Sequence, residues 1–165
     1  EGVDCAVRIG ELANSSLAVR PMGQISLVNC ASAAYLRERG IPKRVQDLAD
    51  GHCSVGYASA VTGRKSPWIS TTSGQELSVE LPSRVIVNNA ENYIACCKAG
   101  LGLIQIPRFD VQDSLQSGEL VEVMPQFRAA PMPVALVYPH RRQRSRRLSA
   151  FVEWFEALMR PHLDP

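Results

Sequence analysis

The chain has few of the features that would assign it to a special class of protein. No apolar run approaches the roughly 20 residues that a membrane-spanning helix needs, and no basic-then-apolar leader stands at the start. The five cysteines are an odd number without C-x-x-C spacing, so neither a disulfide framework nor a zinc knuckle is indicated. Free cysteines are typical of a reducing compartment, and we therefore expect a cytoplasmic protein.

The common catalytic motifs are missing as well. The sequence contains no G-x-S-x-G elbow, no H-E-x-x-H pair and no Walker loop. The segment Gly100-Leu101-Gly102 lacks the third glycine of a dinucleotide fingerprint, and it is predicted to stop a helix and allow close helix–strand packing. The three histidines show no ligand spacing. We therefore expect no metal, no cofactor and no enzymatic activity.

The cysteines leave one enzymatic alternative open, a thiol-dependent enzyme built on Cys53 or Cys97. His52 precedes Cys53, but neighbouring side chains of a strand point to opposite faces, so this adjacency does not supply a base for the thiol. Cys96 and Cys97 lie in a predicted amphipathic helix. There we interpret them as small hydrophobes, with redox sensing as the alternative.

What is present is the composition of a globular protein. The chain has 165 residues, of which 45% are hydrophobic and 21% charged, enough for one domain or two small lobes with a buried core. The formal net charge is +2, and without the five arginines of residues 140–147 it would become −3. The basic patch is therefore local, and we interpret it as a solvated turn rather than a phosphate contact.

The order of predicted elements favours an α/β architecture. Strands are predicted at residues 3–9, 25–30, 53–57, 68–70, 75–80, 84–87, 101–107, 120–123 and 133–138. Helices are predicted from a Ser32 cap to Arg39, from an Asn89 cap to Lys98, at 108–117 and after a Ser145 cap, with one turn at 45–49 and an irregular stretch at 58–67. We expect the first strand to be largely buried. The last helix carries its apolar residues at i, i+3, i+4, i+7 spacing, namely Leu148, Phe151, Val152, Phe155, Leu158 and Met159.

A few polar side chains are suited to binding a small molecule. Asn88 and Asn89 open a predicted helix, whose free backbone N–H groups favour a carboxylate or another anion. Arg8 stands near the end of a predicted strand, where ligands of α/β sheets bind. Trp68, in a chain with few aromatics, is suited to the wall of such a cleft. Each residue has a structural alternative: a plain helix cap for Asn89, an ion pair for Arg8 and core packing for Trp68.

Four segments, in order and spacing, resemble the effector-binding region of LysR-type transcriptional regulators, and together they span essentially the whole chain. They are EGVDCAVRIGELANSSLAVRPMG, LVNCASAAYLRERGIPKRVQDLADGHC, VNNAENYIACCKAGLGLIQIP and ALVYPHRRQRSRRLSAFVEWFEAL. The resemblance implies two Rossmann-like α/β subdomains of the type II periplasmic-binding-protein fold, joined by two crossover strands. Residues 1–22 and 126–165 would form the first subdomain and residues 23–125 the second. Because the chain starts at Glu1, we expect a piece of a longer protein, with the first subdomain incomplete.

The resemblance also implies what the chain binds. A small effector would lie in the cleft between the subdomains, at positions that match the family pocket: Arg8, Ile9, Gly10, Glu11, Gly56, Tyr57, Trp68, Asn88, Asn89 and Phe109. The family implies a homo-oligomer in which the helix at 91–98 forms one side of the contact. Promoter DNA would be bound only through a helix-turn-helix outside this sequence, and no membrane partner is implied. A solute-binding receptor of the periplasmic type shares the fold and is the alternative.

Overall fold

The structure is a computed structural model, and it describes residues 4–10, 16–59, 62–139 and 145–164. The strands in chain order are β1 (Ala6–Ile9), β2 (Leu17–Ile25), β3 (Leu27–Ser32), β4 (Ser54–Tyr57), β5 (Trp68–Thr72), β6 (Gln75–Val79), β7 (Ser83–Val87), β8 (Ile104–Pro107), β9 (Leu120–Glu122) and β10 (Met132–Pro139). The helices are α1 (Ala33–Arg39), α2 (Ala90–Lys98), α3 (Arg108–Gln116) and α4 (Arg146–Met159), with 3-10 turns at Val45–Ala49, Pro125–Phe127 and Arg160–His162. Among these helices, none is long and apolar enough to cross a bilayer.

The chain divides into two compact units. Unit 1 consists of Glu1–Ser26 and Pro131–Pro165, and unit 2 of Leu27–Ala130. The chain thus leaves unit 1 once and returns to it once. These boundaries lie a few residues from the predicted ones, and the assignment of the units to the two family subdomains stays a prediction.

Unit 1 is built on an antiparallel sheet in the order β1-β10-β2. Its middle strand β10 is buried from Val134 to Tyr138, because it has a neighbour on both edges. The expectation of a largely buried first strand is wrong: β1 is an edge strand, and Val7 and Ile9 are 39% and 49% exposed. Apolar composition alone does not distinguish an edge strand from a central one.

The strand β2 was not expected before residue 25. Pro21 and Gly23 discourage a strand, but β2 is an edge strand of its sheet, where a missing N–H is tolerated. Its pairing with β10 shifts register at Val134/Ala135, a bulge of the kind that accommodates such residues.

The last helix, α4, packs on one side only. Val152 is its buried residue, and Glu156 reaches the β2 side chain Arg20 at 2.5 Å. Phe151, Trp154 and Leu158 are exposed, although the spacing of Phe151 and Leu158 follows the same apolar pattern. The predicted helix is confirmed, including its Ser145 cap, but its apolar residues occupy two faces.

Unit 2 contains an antiparallel sheet in the order β8-β3-β9, the parallel pair β4-β7 and the hairpin β5-β6. The predicted caps are confirmed: Ser32 Oγ accepts the N–H of Tyr35 at 3.2 Å, and the Asn89 side chain caps α2. The α/β prediction for this segment therefore agrees with the structure element by element.

Two apolar clusters fill unit 2. The first contains Trp68 and Leu103 with the buried face of α1, and the second packs the α2 residues Tyr93 and Cys97 against β3 and β8. Gly100 has φ +80° and ends α2 as predicted. Gly102 lies so close to the backbone at the start of β4 that no side chain fits.

Candidate functional site

The carboxyl ends of the parallel strands β4 and β7 bring three predicted residues together. Gly56 stands opposite Ile86 and Tyr57 opposite Val87 in the register. The Tyr57 hydroxyl donates to the backbone carbonyl of Asn88 at 3.5 Å. Tyr57, Asn88 and Asn89 therefore lie at one place, where the strands end and α2 begins.

The beginning of α2 carries positive electrostatic potential. Asn89 has extended backbone angles, and its Oδ1 accepts the N–H of Asn92 at 2.9 Å. The N–H groups of the first helical turn and the helix dipole favour an anionic group at this end. Asn88 and Asn89 are both exposed. The structural alternative for Asn89, a helix cap, is thus observed, and its binding role stays a prediction.

Gly56 is required by close packing on its own strand pair. A Cβ at this position would lie 2.9 Å from Cγ1 of Ile86 and 3.1 Å from Cδ of Lys65. Lys65 comes from the stretch 58–67, where Ala58 and Lys65 form an antiparallel bridge. Its Nζ donates to the Leu81 carbonyl at 2.7 Å. The ammonium group thus lies at the amino end of β7, the end opposite to Asn88, and it pairs with the Glu80 carboxylate at 3.6 Å.

Trp68 and Phe109 are placed differently from Tyr57. Trp68 is 4% exposed and belongs to the first apolar cluster, whereas Tyr57 packs edge-on against Tyr93 beside the second, with ring centroids 5.2 Å apart. Core packing is therefore the role that the structure gives to Trp68, and ligand contact stays a prediction. Phe109 is half-buried in the first turn of α3.

The remaining predicted positions belong to unit 1. Arg8 is exposed and pairs in register with Ala135, and it makes no ion pair with a carboxylate of the described residues. The alternative of a structural ion pair thus lacks a partner in that part of the chain. Ile9 is exposed, and Gly10 ends β1 with φ +93° and donates its N–H to Pro133 at 2.9 Å. Glu11 lies outside the described residues.

The thiol chemistry that the sequence left open at Cys97 finds no support. Cys97 is fully buried, and its hydrogen bond with Cys30 together with this burial raises the pKa of the thiol well above its usual range. A nucleophilic cysteine needs the opposite shift. All five cysteines are free thiols. Within the described residues, no group of three His, Cys, Asp or Glu side chains is arranged to hold a metal ion.

One known protein family covers nearly the entire chain. The profile of the LysR substrate binding domain matches residues 1–160. The chain belongs to this family. The resemblance recognised in the sequence is therefore confirmed.

Relatives of this LysR domain are described as transcriptional regulators. The uncharacterized HTH-type transcriptional regulator YhjC of Escherichia coli K12 is 38% identical over 165 residues, which cover 99% of this chain and 54% of that protein. The HTH-type transcriptional activator AaeR of the same strain is 28% identical over 143 residues, with 86% and 45% covered. The chain therefore spans about half the length of the curated relatives it matches.

Solved structures show that the fold is shared. The regulatory domain of CrgA from Neisseria meningitidis matches with a TM-score of 0.78 at 24% identity, over 94% of this chain and 75% of that one. Full-length AphB, a virulence activator of Vibrio cholerae, matches with a TM-score of 0.77 at 22% identity, over 97% and 52%. The LysR domain thus has the type II periplasmic-binding-protein-like fold, which confirms the predicted fold class.

Proposed function

We propose that this LysR domain senses a small effector by binding it, without covalent chemistry. The observation that supports this proposal best is the grouping of Tyr57, Asn88 and Asn89 at the carboxyl ends of β4 and β7. Ligands of open α/β sheets bind at this end of the strands. Here the hydroxyl and amide groups stand beside the positive end of α2.

The proposed effector carries a carboxylate or a comparable acceptor group. The first N–H groups of α2 and the exposed amides of Asn88 and Asn89 are hydrogen-bond donors. Arg8 stays a predicted ligand residue, because its guanidinium is suited to pairing with a carboxylate. Gly56 lies on β4 within the proposed site, whereas Trp68 and Phe109 stay predicted ligand contacts.

The proposed output is regulation of transcription by the longer protein. An effector that binds one conformational state of the regulator more tightly than another shifts the equilibrium toward the state it prefers. The size of the shift is set by the ratio of its affinities for the two states. We propose that the protein acts as a homo-oligomer, with α2 on one side of the contact, and that promoter DNA is bound by a part outside these 165 residues. The HTH-type relatives support this proposal over the solute-receptor alternative.

The test is a ligand screen on the full-length regulator. Mono- and dicarboxylates, aliphatic and aromatic, are tested by differential scanning fluorimetry, and each hit is titrated by calorimetry. Asn88→Ala removes an exposed amide without a capping role. Asn89→Asp keeps the cap but adds negative charge at the helix end. Gln116→Ala removes an exposed amide at the end of α3 and is the matched control.

For a carboxylate effector we expect Asn88→Ala to weaken binding by about tenfold or more, the worth of one hydrogen bond to a charged acceptor. Asn89→Asp is expected to weaken it more, because the added charge repels the ligand. Gln116→Ala should leave the affinity unchanged. A ligand that binds all three variants with the affinity of the unmodified protein would contradict the proposed site.

A further inference from the structure

Unit 1 contains a cavity of its own, which none of the predicted site residues lines. It has a volume of about 360 Å³ and lies between the end of β2 and the end of α4 with the segment that follows. Its lining residues are Pro21, Met22, Glu156, Arg160, Leu163 and Asp164. This volume falls within the range of small-molecule sites.

The wall that carries Asp164 is held firmly against β2. Asp164 donates its N–H to Gln24 at 2.8 Å and accepts the Gln24 N–H at 3.3 Å. Ser26 Oγ donates to the Asp164 carboxylate. Gly23, with φ +138°, permits this approach, since a Cβ there would lie 3.0 Å from the Asp164 carbonyl. The carboxylate is thus fixed at the cavity before any ligand arrives, which reduces the entropic cost of binding.

The charges that line the cavity are of both signs. Glu156 is neutralised by Arg20, at 2.5 Å. Arg160 makes no ion pair with a carboxylate of the described residues, and Asp164 accepts from a neutral hydroxyl. Arg160 and Asp164 therefore line the same cavity, and no ion pair among the described residues joins them.

We propose that this cavity binds a free α-amino acid with an apolar side chain. Arg160 would take the carboxylate of the ligand in a forked pair of hydrogen bonds. Asp164 would accept hydrogen bonds from its ammonium group. The apolar surfaces of Pro21, Met22 and Leu163 would cover its side chain. The mixed charge favours a zwitterion over an anion or a cation, each of which would meet one like charge.

This proposal is independent of the effector site at β4 and β7. It assigns a second small-molecule site to unit 1, on the strand that leads into unit 2. An amino acid bound there would bridge the end of α4 and the Asp164 segment that pairs with β2. Its occupancy would strengthen that pairing.

The test is calorimetric titration of the full-length regulator with L-leucine. Two analogues with one charge each, 4-methylpentanoate and 3-methylbutylamine, probe the need for both groups. The variants are Arg160→Gln and Asp164→Asn, the second of which still accepts from Ser26. Arg146→Gln, an exposed arginine at the other end of α4, is the matched control. Asn88→Ala reports on the other site, and circular dichroism checks the fold of every variant.

We expect leucine to bind with a Kd of about 1 mM or lower. Each single-charge analogue should bind at least about tenfold more weakly than leucine, since a charge-assisted hydrogen bond is lost. Arg160→Gln and Asp164→Asn should each weaken leucine binding by about tenfold, with Arg146→Gln and Asn88→Ala unchanged. The proposal is overturned if leucine does not bind at about 10 mM. It is also overturned if both analogues bind as well as leucine, or if Arg160→Gln and Asp164→Asn both bind leucine as the unmodified protein does; loss of binding in Asn88→Ala would then assign leucine to the other site.

Discussion

Gly102→Ala is expected to be among the most damaging single-methyl additions to unit 2. The new Cβ would lie 2.6 Å from the carbonyl carbon of Ser54 and 2.8 Å from both Cys53 O and Val55 N. All three are backbone atoms, so no side chain can rotate away. Two hydrogen bonds join the same segments, from Val55 N to Leu103 O and from Leu103 N to Cys53 O, each at 2.9 Å.

The cost follows from this geometry. Ordinary contact begins near 3.4 Å, so the two backbones would have to separate by up to about 0.8 Å. Such a shift weakens both hydrogen bonds, each of which contributes about 1 kcal/mol, and overpacking adds about 1–3 kcal/mol. We expect the free energy of unfolding to fall by about 3 kcal/mol, which corresponds to a Tm lower by roughly 6–12 °C.

The assay is urea unfolding followed by tryptophan fluorescence. The chain has two tryptophans, and a Trp154→Phe background leaves Trp68 to report on the core of unit 2. The matched control is Gly118→Ala, where φ is +76° but no atom lies within 4 Å of the new Cβ. That control should cost about 1 kcal/mol for the left-handed backbone alone. If Gly102→Ala costs no more than Gly118→Ala, the close contact does not constrain the fold and our reasoning is refuted.

Two further predictions concern buried polar groups of unit 2. Burial lowers the pKa of His52 from its ordinary value of 6.5, so the unfolded chain binds a proton at His52 more readily than the folded chain does. The free energy of unfolding is therefore highest above pH 6.5, and it falls as the pH drops below 6.5. In urea titrations from about pH 8 to pH 5.5, His52→Gln should flatten this dependence. A slope equal to that of the unmodified protein would refute the prediction. The Gln105 side chain accepts the N–H of Ile69 at 2.9 Å and donates to the Ile69 carbonyl at 2.6 Å. Gln105→Leu should therefore lower the free energy of unfolding in urea by about 2–3 kcal/mol. A decrease of less than about 1 kcal/mol would contradict this role of Gln105.

The elements that sequence reasoning predicted best are those with local signals. Ser32, Asn89 and Ser145 each accept an N–H three residues onward, and this cap geometry depends on a few neighbouring residues. The prediction failed where the answer depends on distant partners. Val7 and Phe151 are as apolar as core residues, but whether a side chain is buried depends on what packs against its face.

The candidate site shows the same division. The capping role of Asn89 at the start of α2 was readable from the chain, whereas ligand binding at the carboxyl ends of β4 and β7 stays a prediction from the family resemblance. Lys65 beside Gly56 was not readable, because the loop that carries it has no periodic pattern. Trp68 had two interpretations, and its burial in the apolar cluster favours packing.

The sequence by itself determined the fold class, the family and most helix and strand positions, because these depend on local propensity, capping and motif spacing. Only the tertiary structure decided which strand lies at a sheet edge, which face of α4 is covered and which charges meet at one cavity. Arg160 and Asp164 lie close in the chain to each other but far from Met22, and only the pairing of Gln24 with Asp164 brings them to one cavity. Such contacts arise from the packing of distant segments, which no local pattern encodes.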